Sequence, residues 1–261
     1  MQLGMIADPV EESFRLAAEE GLDFVEFCIN GHDTGEQLET LLPKLRNWIK
    51  TYHVQVGSIG RWKSQILLPD GIISENEISV AKRLLQICDA LGCPNYICGC
   101  NYSSGITKLE NYNRAVDFFA HVIRSAPSGT DVSVYNCKKM NFVSTPESWS
   151  FILEQLPQLG IKFDPANSRY AGEDYLAVLA QWAPRVRHVH LKGSIMVDGV
   201  RIDDPPAGMD QTDWNSVIGI LRNAGYDRGL SLEPHSDIWK GPMMRQGIHF
   251  SVNYFEKLII R

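Results

Sequence analysis

Eight times along its length the chain alternates a short apolar run with a longer segment whose apolar residues recur at helical spacing. The short runs fall at residues 2–6, 24–29, 54–59, 96–100, 132–137, 161–164, 186–191 and 230–233. The longer segments cover 10–21, 37–52, 78–91, 108–125, 145–156, 175–182, 212–224 and 246–260. Strands that alternate with helices pair in parallel, because each crossover carries the chain back to the same end of the sheet. Eight such units in 261 residues predict an α/β chain folded as a single (β/α)₈ TIM barrel domain over residues 1–261. An open nucleotide-binding sheet would carry a glycine-rich turn after its first strand, and Met5-Ile6-Ala7-Asp8-Pro9 holds no glycine.

The remaining composition narrows the function. Acidic side chains number 31 against 25 basic ones, and no Lys/Arg run forms the basic face that phosphate neutralisation requires, so no nucleic-acid partner is expected. No apolar run approaches the ~20 residues that cross a bilayer. The start, Met1-Gln2-Leu3-Gly4, lacks a basic leader, so the expectation is a cytoplasmic protein with no membrane partner. The six cysteines follow no framework spacing and read as small buried thiols of a reducing compartment.

In a barrel of this kind the chemistry sits where the strands end at their C-terminal side. The sixth run ends Phe163-Asp164-Pro165-Ala166-Asn167, the seventh His188-Val189-His190-Leu191-Lys192, the eighth Leu232-Glu233-Pro234-His235. Neighbouring strands thus present Asp164, His190 and Glu233 at matching depth, an O/N/O set suited to one divalent ion (Mn, Co, Mg, Zn or Fe). Singly, each has a plainer role, such as capping the following helix.

These segments, with Pro206-Ala207-Gly208 and the early stretch from Glu19 to Phe27, resemble the xylose isomerase-like superfamily, the sugar phosphate isomerase/epimerase group related to family 2 AP endonucleases. The resemblance implies an ion held by Glu, Asp, His and Glu from strands 5 to 8, with Asp164, His190 and Glu233 as the last three. Strand 5 departs from that pattern: Tyr135-Asn136 stands where the family reads Glu-Asn. Asn167 also replaces a histidine found in many relatives.

The reaction implied is isomerisation or epimerisation of a sugar or keto sugar through an enediolate. A dehydratase, lyase or deglycosylase on the same site is the alternative, as is a sugar-binding barrel whose catalytic site is impaired by Tyr135. Glu233 is the candidate base, with Tyr135 or Lys138 as the second. Candidate substrate contacts are Trp62 in the connection after strand 3, Asn136, Asn167, Lys192, Arg169 and His188, with His235 near the rim. His188 lies one layer below His190 and is placed to orient it. Lys162 points into the barrel and needs an acidic partner there, for which Glu26 is a candidate. The resemblance leaves a homo-oligomer open, and no interface is legible in the chain. An endonuclease role fits poorly, because no histidine ends strands 2 to 5.

Overall fold

The short runs close on themselves. The computed structural model describes residues 1–260, and in it β1 (Gln2–Ile6), β2 (Phe24–Asn30), β3 (Gln55–Trp62) and β4 (Asn95–Cys98) form one half of a barrel. The other half is β5 (Asp131–Tyr135), β6 (Gly160–Phe163), β7 (Val186–Leu191) and β10 (Gly229–Leu232). All pair in parallel, and β1 joins both β2 and β10 to complete the circle. Between β7 and the helix Trp214–Asn223 the chain inserts an antiparallel hairpin, β8 (Ile195–Val197) and β9 (Val200–Asp203). Its two-residue turn, Asp198-Gly199, takes positive φ at both positions, as a tight hairpin demands.

The helices form where the apolar spacing placed them, and side chains fix several of their starts. Ser74 accepts from the Glu77 amide, and Thr107 and Glu110 cap one another reciprocally. Thr145 does the same with Ser148. Their apolar faces cover the outward residues of the strands, among them Val25, Phe27, Phe163, Val189 and Leu191, all buried in one continuous core.

Inside the barrel the alternate residues are polar. Glu26, Ser58, Ser133, Lys162, His188 and Ser231 are all essentially inaccessible to solvent. A barrel lumen is more often filled with branched aliphatics, so this one holds charge that must be paired. The N-terminal end is stopped by the Phe24 ring. It lies so close to Gly4 and Gly57 that a Cβ there would come within 2.4 and 2.3 Å of it. No helix among the described residues is long and apolar enough to cross a membrane.

Candidate active site

Strand register sets the depth of each functional group. Lys162 of β6 is level with His188 of β7, and Ser231 of β10 is level with His190. Two residues further along each strand, Asp164 comes level with His190 and Glu233 with Lys192, all on the inward face. β6 stops at Phe163 and β10 at Leu232, so Asp164 and Glu233 stand just beyond their strands rather than within them. Asp164 caps the short helix Pro165–Tyr170, its Oδ1 accepting from the Ala166 amide at 2.9 Å. Asn136 holds the same residue by its backbone, donating to the carbonyl at 2.9 Å and accepting from the amide at 3.0 Å. The capping role and the functional position thus coexist. Only Oδ2 is left over, fully buried and without a donor in hydrogen-bond geometry.

Two ammonium groups approach that oxygen. Lys192 Nζ lies 2.7 Å away and Lys162 Nζ 3.7 Å away. Lys192 also stands 3.7 Å from Glu233 Oε2 and donates to Asn167 Oδ1 at 3.2 Å. Burial works against its charge, yet Asp164 and Glu233 outweigh that and push its pKa above the ordinary lysine value.

A second chain of contacts runs down the lumen. His190 meets Glu233 Oε2 through Nδ1 at 2.7 Å and Glu26 Oε1 through Nε2 at 2.8 Å. With both carboxylates ionised, each accepts from a ring nitrogen, an arrangement that favours the doubly protonated ring. Burial opposes that charge, but Glu26 and Glu233 prevail and the pKa is raised. His188 donates through Nε2 to Glu26 Oε2 at 2.7 Å, and burial depresses its pKa, leaving it neutral. Burial would raise Glu26 and Glu233. The two histidines hold Glu26 well below the carboxylate range, and Lys192 and His190 do the same for Glu233.

The other residues singled out by sequence divide into two groups. Tyr135 is buried at the end of β5, and burial raises its pKa, so it stays a neutral phenol. Its ring packs on Trp62 with centroids 4.4 Å apart. Trp62 ends β3 rather than lying in the connection after it, and its ring also covers Lys162 Nζ at 5.4 Å. It therefore walls the lumen. Asn136 is spent on the Asp164 backbone, and His188 reaches the site only through Glu26. Lys138 is more than half exposed, with Glu173 its partner at 3.9 Å, and takes no part in the cluster. Arg169 donates to Gln211 at 2.9 Å on the rim.

Lys162 finds its acidic neighbour in Asp164, not in Glu26, which the two histidines occupy. Sequence reasoning missed what Glu26 does, and it missed Asp204 altogether. Asp204 follows the hairpin and gathers Tyr170, Arg201 and His235 beside Glu233. Burial would lift Asp204, but hydrogen bonds from these three hold its pKa at about 2.

Two trios bring ligand-type atoms within 4.8 Å of one another: Glu26, His188 and His190, and Asp164, His190 and Glu233. The second has the right donors for a divalent ion, and Glu26 behind His190 is the carboxylate that commonly orients a ligating imidazole. The fourth ligand is a neutral phenol, however, and the Lys192 ammonium already stands against both carboxylates. Asp164, His190 and Glu233 are thus candidate ligands, with the Lys192 ammonium lying between the two carboxylates in this arrangement.

The model of the xylose isomerase-like TIM barrel family matches residues 14–254. No curated protein matches the sequence. Among solved structures, D-psicose 3-epimerase from Clostridium cellulolyticum H10 superposes with a TM-score of 0.81 at 14% identity, covering 99% of each chain. The 3-keto-D-glucoside 4-epimerase from E. coli gives 0.74 at 16% identity, over 98% of this chain and 99% of that one. A probable 3-DHS dehydratase from Bacillus anthracis gives 0.73 at 14% identity, again over 98% and 99%. At such identities the likeness speaks for the fold.

Proposed function

Since the chain belongs to the xylose isomerase-like TIM barrel family, we propose that it is an enzyme that enolises a hydroxyketone of the keto-sugar class at the mouth of the barrel. The observation that carries this reading is the convergence of Asp164 and His190, at one level of the lumen, with Lys192 and Glu233 at the next level towards the mouth. Enolisation needs a base beside the carbon and positive charge beside the carbonyl oxygen. Glu233 is ionised and held in place by His190, so it can take the proton and later return it. The positive charge comes from the ammonium side of the cluster. Ligand groups for an ion are present, with the Lys192 ammonium standing beside two of them.

With Tyr135 neutral and Lys138 turned to the rim, Glu233 is the base of this reading, Asp164 being committed to its helix cap and to the two lysines. A single base suits proton return on the same face, which is isomerisation, or loss of a β-substituent, which is elimination. Epimerisation asks for a second base on the opposite face. The solved structures described as sugar epimerases and as a probable dehydratase lend the substrate class rather than the choice among these reactions.

The test is solvent exchange. Ketoses and 3-keto-glucosides incubated with the protein in deuterium oxide should gain deuterium next to the carbonyl, read by proton NMR, and the product spectrum separates isomerisation from elimination. Glu233→Gln should slow exchange by roughly 10²-fold or more, the usual contribution of a general base. Folded wild-type protein that labels none of these substrates would end the proposal.

A further inference from the structure

The lumen is crowded with ionisable groups. Three carboxylates, Glu26, Asp164 and Glu233, face Lys162, Lys192 and the doubly paired ring of His190. A divalent ion placed among Asp164, His190 and Glu233 would crowd the Lys192 ammonium, which stands 2.7 Å from Asp164 Oδ2 and 3.7 Å from Glu233 Oε2.

The position of Lys192 is also the one a substrate oxygen needs. An ammonium has three N–H donors. Lys192 directs one to Asn167 Oδ1 at 3.2 Å and spends another on the ionic contact with Asp164. Glu233 Oε2, at 3.7 Å, lies beyond hydrogen-bond reach. One donor is therefore free beside the base. Nothing comparable is offered by Lys162, whose ammonium is covered by the Trp62 ring.

We infer that the Lys192 ammonium is the resident cation of this site, and that the chain polarises the carbonyl of its substrate without a divalent metal. The inference rests on the enolisation reading for what the ammonium does, and on geometry alone for the exclusion of the ion. In the reaction, Glu233 takes the proton from carbon as the carbonyl oxygen becomes an enolate oxygen, and the free N–H of Lys192 hydrogen-bonds that oxygen. The proton on Glu233 then returns to carbon, so protons and charge are restored at each turnover.

The experiment is a Mn²⁺ titration of chelator-treated protein, followed by electron paramagnetic resonance of the free ion and by thermal melting. Neither readout needs a substrate. Wild type should leave the free-ion signal undiminished and its melting temperature unchanged. Lys192→Met, which opens the trio, should take up Mn²⁺ and melt higher in its presence, and Asp164→Asn added to it should abolish both effects. Stoichiometric uptake by wild type that Asp164→Asn removes would overturn the inference, as would a folded Lys192→Met variant that binds none. Should that variant fail to fold by circular dichroism, the wild-type titration decides alone. Deuterium exchange into a keto sugar should survive chelator treatment of the wild type, and exchange that chelation abolishes and Mn²⁺ restores would also overturn it. Refusal of Mn²⁺ with no exchange at all would sink the enolisation reading while supporting the charge assignment.

Discussion

Glu26→Gln is the substitution that most directly probes the lumen. Glu26 is fully buried and takes two short hydrogen bonds, from His188 at 2.7 Å and from His190 at 2.8 Å. Removing one partner of a buried charged pair costs roughly 3–5 kcal/mol. Glutamine keeps one acceptor oxygen in place, so the lower end applies, about 3 kcal/mol. In a chain of this size each kcal/mol moves the melting temperature by about 2–4 °C, so the variant should melt about 6–12 °C below wild type. The deficit should depend on pH. Glu26 lies below its ordinary value of 4.5, so its contribution is present above that pH and fades as pH falls through the lower folded value. His190 lies above its ordinary 6.5, so its contribution is complete below that pH and fades as pH rises through the higher folded value. The two overlap between 4.5 and 6.5, where the deficit should be greatest, shrinking on the alkaline side. Melting curves followed by circular dichroism across that range provide the measurement. A variant that melts with wild type at every pH would refute the view that Glu26 is the counter-charge holding His190.

Three further outcomes are expected. A methyl group at Gly99 would meet the Tyr135 ring at 2.5 Å; Gly99→Ala should therefore cost about 1–3 kcal/mol of stability and shift the fluorescence of Trp62, which packs on that ring. Asp204→Asn should loosen the β8–β9 hairpin, read as faster hydrogen exchange across residues 195–203. Because Asp204 is depressed from 3.8 to about 2, the wild-type advantage should hold above 3.8 and vanish as pH falls through about 2. Lys138→Ala should leave both stability and deuterium exchange unchanged within error, since its side chain faces solvent beside Glu173; a large loss of exchange would return Lys138 to the site.

The barrel was legible because its signal is local: each strand and helix shows its own period, and eight repetitions leave few topologies open. That Asp164, His190 and Glu233 stand at strand ends on the inward face was legible for a related reason, but their expected matching depth was not met, because Glu233 is level with Lys192 rather than with His190. The role of Glu26 was not. Its partners lie more than 160 positions away on β7, and which rows of side chains meet across a lumen depends on register, which no local pattern encodes. Lys162 was rightly placed inside the barrel but assigned the wrong acid, because the two histidines were closer claimants on Glu26. Trp62 read as a loop residue since the apolar run before it breaks at Gly60-Arg61, although β3 continues through both. The hairpin did leave a mark, the Asp198-Gly199 pair between two valine-bearing segments, yet it sits inside a crossover where a helix was the expected element. Asp204 left none: its partners, Tyr170, Arg201 and His235, come from three separate segments.

The Phe24 ring that stoppers the floor has a bearing on isotope kinetics. Hydrocarbon relays no protons, so the ring offers the His188–Glu26 pair no partner from below, whereas His190 links that pair by hydrogen bonds to Glu233. A ligand seated over Glu233 would cover the mouth end of that hydrogen-bonded chain, so its residence should slow proton exchange along it.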